Sequence, residues 1–279
     1  MTAMGSSSSS PAEKVADVVR GLADHVRRYD ETRDPRAVFA YTYYRLTSSL
    51  AASLRTNALS FREPHWVADL SVSLASAYFT AIAAIDAWLM SRPPRRDTVV
   101  DPADLPETVP RPWRDVYAAS TARRSYVLED VLFSMMAHMS YDLPLALRSL
   151  NAQRSNHEHI GDFHRMNELL AKCIDEVQDD LADRYCRGLR SLDRLFTRDD
   201  ELLTNYGIRV VRGLAWFNCD RLLDPASAAE ATGSISRSTA ALIARIRYPD
   251  DWKLRCGTRL LRLLIPSRRQ WPLPGTALD

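Results

Sequence analysis

The sequence predicts an all-α protein: a single multi-helix bundle of about eight to ten helices with one long Pro-rich loop. Three observations predict it. Glycine is scarce, at 9 of 279 residues, while Ala, Leu and Arg are abundant. Hardly any run alternates apolar and polar residues, so strands have little to form from. Apolar residues recur instead at helical spacing along most of the chain. At this length the chain can bury a sizeable core, and residues 12–279 read as one domain behind a disordered serine-rich tail, residues 1–11.

In chain order, a first helix from about Ala12 to Arg28 lines up Val15, Val18, Leu22 and Val26. Asp34 and Pro35 start a second with a cap and a first-turn proline, and its cluster Tyr41, Tyr43, Tyr44 is suited to lining a pocket. Glu63 and Pro64 open a long third helix to about Met90, on which Leu74, Tyr78, Ile82 and Asp86 form one stripe, making Asp86 a further candidate ligand or acid. Residues 92–112 are rich in Pro, Arg and Asp, a long loop whose position before the central helices suggests a lid. Trp113 starts the fourth helix. Farther on, Leu181–Phe196 continues helical, Asp199 and Asp200 begin another helix that runs to Asp224 and Pro225, and a weak helix spans about Ala226 to Arg247.

The functional signal lies in two central segments. Val127, Val131, Met135, His138 and Asp142 share one helix face, as do His159, Asp162, Met166, Leu169, Cys173 and Val177. Each helix thus aims an imidazole and a carboxylate at the core, where an unpaired polar group costs roughly 1 to 3 kcal/mol and an unpaired charge more. Three arrangements satisfy them. His138, Asp142, His159 and Asp162 can hold one divalent metal, iron, manganese or zinc, in the manner of inward-facing ligands in bundles. A His and an Asp can instead move protons without metal. Or two His to Asp hydrogen bonds simply fix helix packing, with Asp142 and Asp162 as helix caps. The expected pocket is apolar, walled by Tyr78, Met135, Met139, Phe163 and Met166, with those four residues as catalytic floor. Asn167, Arg212 and Trp216 complete the substrate-binding set, Arg212 as partner for a substrate carboxylate or for the buried acids. His157 and His164 fall off the stripe and read as peripheral.

Other classes are disfavoured. A net charge of +2 with interspersed signs gives no reason to expect nucleic acid. The four cysteines form no CxxC pair and are expected to be reduced and buried. No nucleotide cofactor is expected, because GxGxxG and Walker-type loops are absent, as are GxSxG, HExxH and DDxxD. No transmembrane segment or signal peptide is expected, which points to the cytoplasm. The last segment sets Arg255, Arg259, Arg262, Arg268 and Arg269 among leucines, the composition of a basic amphipathic helix that docks on its own bundle or touches a membrane surface or partner. The pattern does not fix an oligomeric state.

The run AHMSYDLPLAL followed by HxxDFxxxN (His159, Asp162, Phe163, Asn167), with SAYFTA around Tyr78 and PRPW around Trp113, resembles an uncharacterised bacterial domain family of unknown function. The resemblance implies an all-helical fold and a shared site at His138, Asp142 and Asp162, extended by Asn167. It implies no reaction. Met136 and Ser140 stand where the family pattern leads one to expect asparagines, which puts the original chemistry of this member in doubt. The function expected from the sequence is a small-molecule enzyme of specialised metabolism acting on a small apolar substrate through a His/Asp site with a divalent metal. The alternatives are a metal-free cyclase or lyase, and a non-catalytic ligand-binding or scaffold protein.

Overall fold

Ser10 starts the fold. Its hydroxyl accepts from the Glu13 amide while the Glu13 carboxylate accepts from the Ser10 amide, a reciprocal cap in front of Pro11. The cap sits inside the stretch expected to be disordered, because S-P-A-E satisfies the amides that a helix start leaves open. The computed structural model describes residues 9–91, 99–151, 158–186, 205–264, 269–273 and 275–278. The remaining tail residues, loop residues 92–98, His157, Arg268 and the segment 187–204 with Asp199 and Asp200 lie outside the described residues.

Among the described residues there are ten α-helices and no strands. They are α1 (Pro11–Thr32), α2 (Ala37–Thr56), α3 (Pro64–Ser91), α4 (Arg111–Ser120), α5 (Val127–Ala137), α6 (Leu143–Asn151), α7 (Ile160–Tyr185), α8 (Asn205–Leu223), α9 (Ala228–Arg247) and α10 (Trp252–Leu264). α1 lays Val15, Val18, Leu22, Val26 and Tyr29 against α2 and α3. α6 packs on α3 and α8, and α9 on α4 and α8.

α3 is long and apolar enough to cross a membrane, contrary to the expectation that no segment would be. It touches α1 and α6 and buries Trp66, Val67, Leu70, Tyr78, Ile82 and Ile85, with 39% of its apolar window buried inside the bundle. Asp86 is no isolated acid on this helix, because it bridges Arg28 at 2.7 Å and Arg36 at 2.6 Å. The described part of the expected lid is packed down, with Val100, Leu105 and Val109 buried beside Trp113. Cys173, Cys186 and Cys219 are buried as expected, whereas Cys256 is exposed.

The C-terminal residues strap the bundle. Arg269 forms two hydrogen bonds to Asp130, at 2.7 and 2.8 Å, and a third to the Ser120 carbonyl. The Gln270 amide donates to the Tyr185 carbonyl, and the Leu278 carbonyl accepts from Tyr44. α10 is tied down by Arg262, which donates to Glu129 and to the Arg247 carbonyl, while Trp252, Leu254, Leu260 and Leu263 stay exposed.

Burial pushes the Asp130 carboxyl up to about 6, with Arg269 pulling against it. A carboxyl raised above its unfolded value stabilises the fold fully below about 3.9 and loses that contribution as pH rises through its folded value. The stability of the wild type relative to Asp130→Asn is therefore expected to fall by on the order of 3 kcal/mol between pH 4 and pH 7. Urea unfolding of both proteins across that range checks it, and parallel pH curves would refute it.

Candidate functional site

His138 and Asp142 lie on a π-helical turn, His138–Asp142, between α5 and α6, where the Leu143 amide reaches back to the His138 carbonyl. Pro144 explains the widening. It has no N–H for the Ser140 carbonyl and its ring would crowd that carbonyl in a regular α-helix, so the chain loosens one turn earlier. Such turns frequently carry functional residues. Asp142 is thus not a helix cap but a residue inside a continuous helical path.

Asp142 is 1% exposed. Its Oδ2 meets His138 Nδ1 at 3.1 Å, and the Trp113 indole N–H donates to Oδ1 and Oδ2 at 3.2 and 3.1 Å. Burial pushes the Asp142 carboxyl up, while the hydrogen bonds from His138 and Trp113 hold it down. An ionised Asp142 can only accept, so Nδ1 of His138 is the donor to it and Nε2 is the nitrogen left over. That Nε2 is buried and has no hydrogen-bond partner. Around it stand Tyr43, with ring centroids 4.4 Å apart, Phe39 at 5.5 Å and Tyr78 at 6.1 Å. The Tyr43 hydroxyl is likewise buried without a partner, and burial raises its pKa, so it stays a neutral donor. Phe39, Tyr78 and Trp113 also wall a cavity of about 20 Å³, together with Arg36, Asp130 and Ser134. That volume holds one water-sized molecule.

His159 and Asp162 stand elsewhere, which corrects the expectation of one four-residue floor. His159 stacks on Trp66 at 4.6 Å, and Trp66 precedes Tyr78 by twelve residues on α3. At 1.5 Å per residue the two imidazoles belong to places about 18 Å apart along that helix. Asp162 is a clamp: it accepts from the Arg62 and Glu63 amides at 2.9 and 2.7 Å, just ahead of α3, and from Arg165 at 2.8 Å. It holds the chain leading into α3 and is not the cap of its own helix, whose N-cap is His159. Among the described residues no three His, Cys, Asp or Glu side chains gather closely enough to hold a metal ion.

The walls divide in the same way. Met135 packs in the cluster of Tyr78, Phe133 and Trp113, and Met139 is buried next to His138 in sequence. Phe163, Met166 and Trp216 belong to the other cluster, with Trp66. Arg212 is 5% exposed and donates from Nε to Asn167 Oδ1 at 2.6 Å and from Nη2 to the Phe163 carbonyl at 3.1 Å. It therefore does not meet the buried acids. Sequence reasoning found Tyr43 and His138 separately but missed Phe39, Trp66 and the role of Trp113, whose aromatic character alone carries no address.

Removing the Asp162 clamp leaves two amides and Arg165 unpaired. Asp162→Ala is expected to lose about 3 kcal/mol of stability, with Asp162→Asn recovering part of it. Equal unfolding midpoints for wild type and Asp162→Ala would sink the clamp.

No curated protein and no protein of solved structure matches the chain. A family model does, over residues 15–95 and 97–249, spanning α1 to α9 and both polar centres just described. The chain belongs to that family, the family of unknown function DUF5995.

Proposed function

We propose that this chain is a small-molecule enzyme in which His138 and Asp142 work as an acid-base dyad, a metal-free cyclase or lyase acting on a largely apolar substrate. The observation that carries the reading is the buried, unpartnered Nε2 of His138, framed by aromatic rings while Asp142 engages Nδ1. An imidazole so oriented takes a proton through Nε2 as the Asp142 carboxylate stabilises the imidazolium, and then returns that proton to another atom of the same substrate. Such a cycle balances without an oxidant or reductant. Trp113 keeps Asp142 oriented, and the Tyr43 hydroxyl donates to charge developing on the substrate. The site lies in a dry setting where these interactions are strong. The cavity of about 20 Å³ lies beyond Phe39 and Tyr78 and is not lined by His138, Asp142 or Tyr43, so a substrate reaches Nε2 only when Phe39 or Tyr78 swings aside.

The metal reading rests on the same two residues. Iron, manganese or zinc would find donors in His138 and Asp142 and would take its remaining ligands from substrate or water. A non-catalytic role is the third reading, supported by the exposed apolar residues and the arginines of α10.

The deciding experiment incubates chelator-treated protein with a small-molecule extract of the source organism and follows consumed species by mass spectrometry. The wild type is expected to convert at least one species, with His138→Gln and Asp142→Asn slower by about 100-fold or more while keeping the wild-type unfolding curve. Conversion that survives His138→Gln, or that appears only after metal is added and tracks stoichiometric metal on His138 and Asp142, overturns the metal-free dyad. Nitrogen NMR adds a readout that needs no substrate: His138 is expected to be protonated on Nδ1 in the wild type and to lose that preference in Asp142→Asn.

A further inference from the structure

We propose that Arg212 and His159, with the rings of Phe163, Trp66 and Trp216 between them, form a second binding site, for the carboxylate of a small aromatic acid. The site does not depend on the His138 dyad.

An unbalanced charge lies at one end of this site. The Arg212 guanidinium is buried, and none of its contacts is a carboxylate: Nε goes to the Asn167 side-chain oxygen, Nη2 to the Phe163 carbonyl, and its flat face lies 4.1 Å over the Phe163 ring. Burial alone pulls its pKa down to about 9. A buried cation without a counter-ion is among the least favourable arrangements in a core. Two of its five N–H groups are engaged, and both N–H groups of Nη1 are among the three left to meet a carboxylate. Asn167 cannot neutralise it. Its amide is turned by a 3.5 Å contact from Nδ2 to His164, which leaves only the neutral Oδ1 for Arg212.

At the other end lies an imidazole. His159, 2% exposed, has no partner on either ring nitrogen. It is fixed by stacking on Trp66, whose indole N–H is held by Asn151 at 3.3 Å. A cation without a carboxylate partner and an imidazole without a hydrogen-bond partner thus stand at one aromatic cluster. Trp216, four residues after Arg212 on α8, touches Phe163 at 4.8 Å and Trp66 at 6.4 Å. His159 and Phe163 are one turn apart on α7, about 6 Å along the axis. A molecule of one ring is long enough for that interval, and it enters when Trp216 swings off Phe163, bringing its carboxylate to Arg212, its ring to Phe163 and a hydroxyl to His159. The neighbouring Asp162 does not oppose the anion, since two amides and Arg165 already compensate its charge.

The test uses the full chain and 4-hydroxyphenylacetate as probe, with its neutral amide and inorganic phosphate as controls. The acid is expected to raise the Tm by about 3 °C at roughly ten times its Kd, the amide not to, and Arg212→Gln to abolish the rise. His138→Gln is expected to keep it, which separates this site from the proposed dyad. No rise with the acid in the wild type, or the same rise in Arg212→Gln, overturns the proposal, and stabilisation by phosphate alone overturns the carboxylate assignment. Should Arg212→Gln fail to fold, tryptophan emission decides. Quenching of the wild type by the acid that Trp216→Phe reduces supports the site, and emission unchanged by the acid overturns it.

Discussion

A buried carboxylate must find donors or lose its charge, and Asp142, 1% exposed, is where that constraint shapes the molecule most. Its donors come from two directions, the His138 ring one turn earlier on the π-helical path and the Trp113 indole from α4. Meeting both fixes how α4 sits against α5, and it fixes which nitrogen of His138 is left over. Pro144 makes the geometry possible, because the ladder it interrupts is the one that the π turn relaxes. One missing amide hydrogen therefore connects the local backbone, the packing of two helices and the chemistry available at Nε2.

α3 carries the second organising constraint. The two residues leading into it are tied to α7 through Asp162, and its far end is tied to α1 and to the start of α2 through Asp86, Arg28 and Arg36. Between these anchors it presents Trp66 to one imidazole and Tyr78 to the other. A rigid rod held at both ends sets the distance between the two polar centres, so His138 and His159 cannot share a ligand of atomic size. Their similarity in sequence conceals a difference in role. One is held by a carboxylate, while the other is stacked on Trp66 with no hydrogen-bond partner on either ring nitrogen.

The edges of the fold use charge in a different way. Arg184 and Tyr185 at the end of α7 both reach Asp30 of α1, and the C-terminal residues then close over Tyr185 and Asp130. These pairs are largely buried, so each holds its geometry through short, directional hydrogen bonds rather than through long-range attraction. α10 is the exception, held by Arg262 with its larger apolar residues facing outward.

The sequence by itself determined the all-helical class, the order of the helices and most of their starts, because periodic burial, Pro64 and the Asp-Pro pairs are local signals that act within a few residues. It also determined that His138, Asp142, His159 and Asp162 would be buried, since each lies on an apolar stripe. Local periodicity gives the face on which a side chain lies and says nothing of what it meets. That Asp162 serves the backbone ahead of α3, that Arg212 reaches Asn167 instead of an acid, and that four matching residues form two centres were decided only by tertiary structure. Each of these contacts joins residues from about 45 to 100 positions apart, and the distance between the two centres is set by the length of a helix that neither His-bearing segment contains.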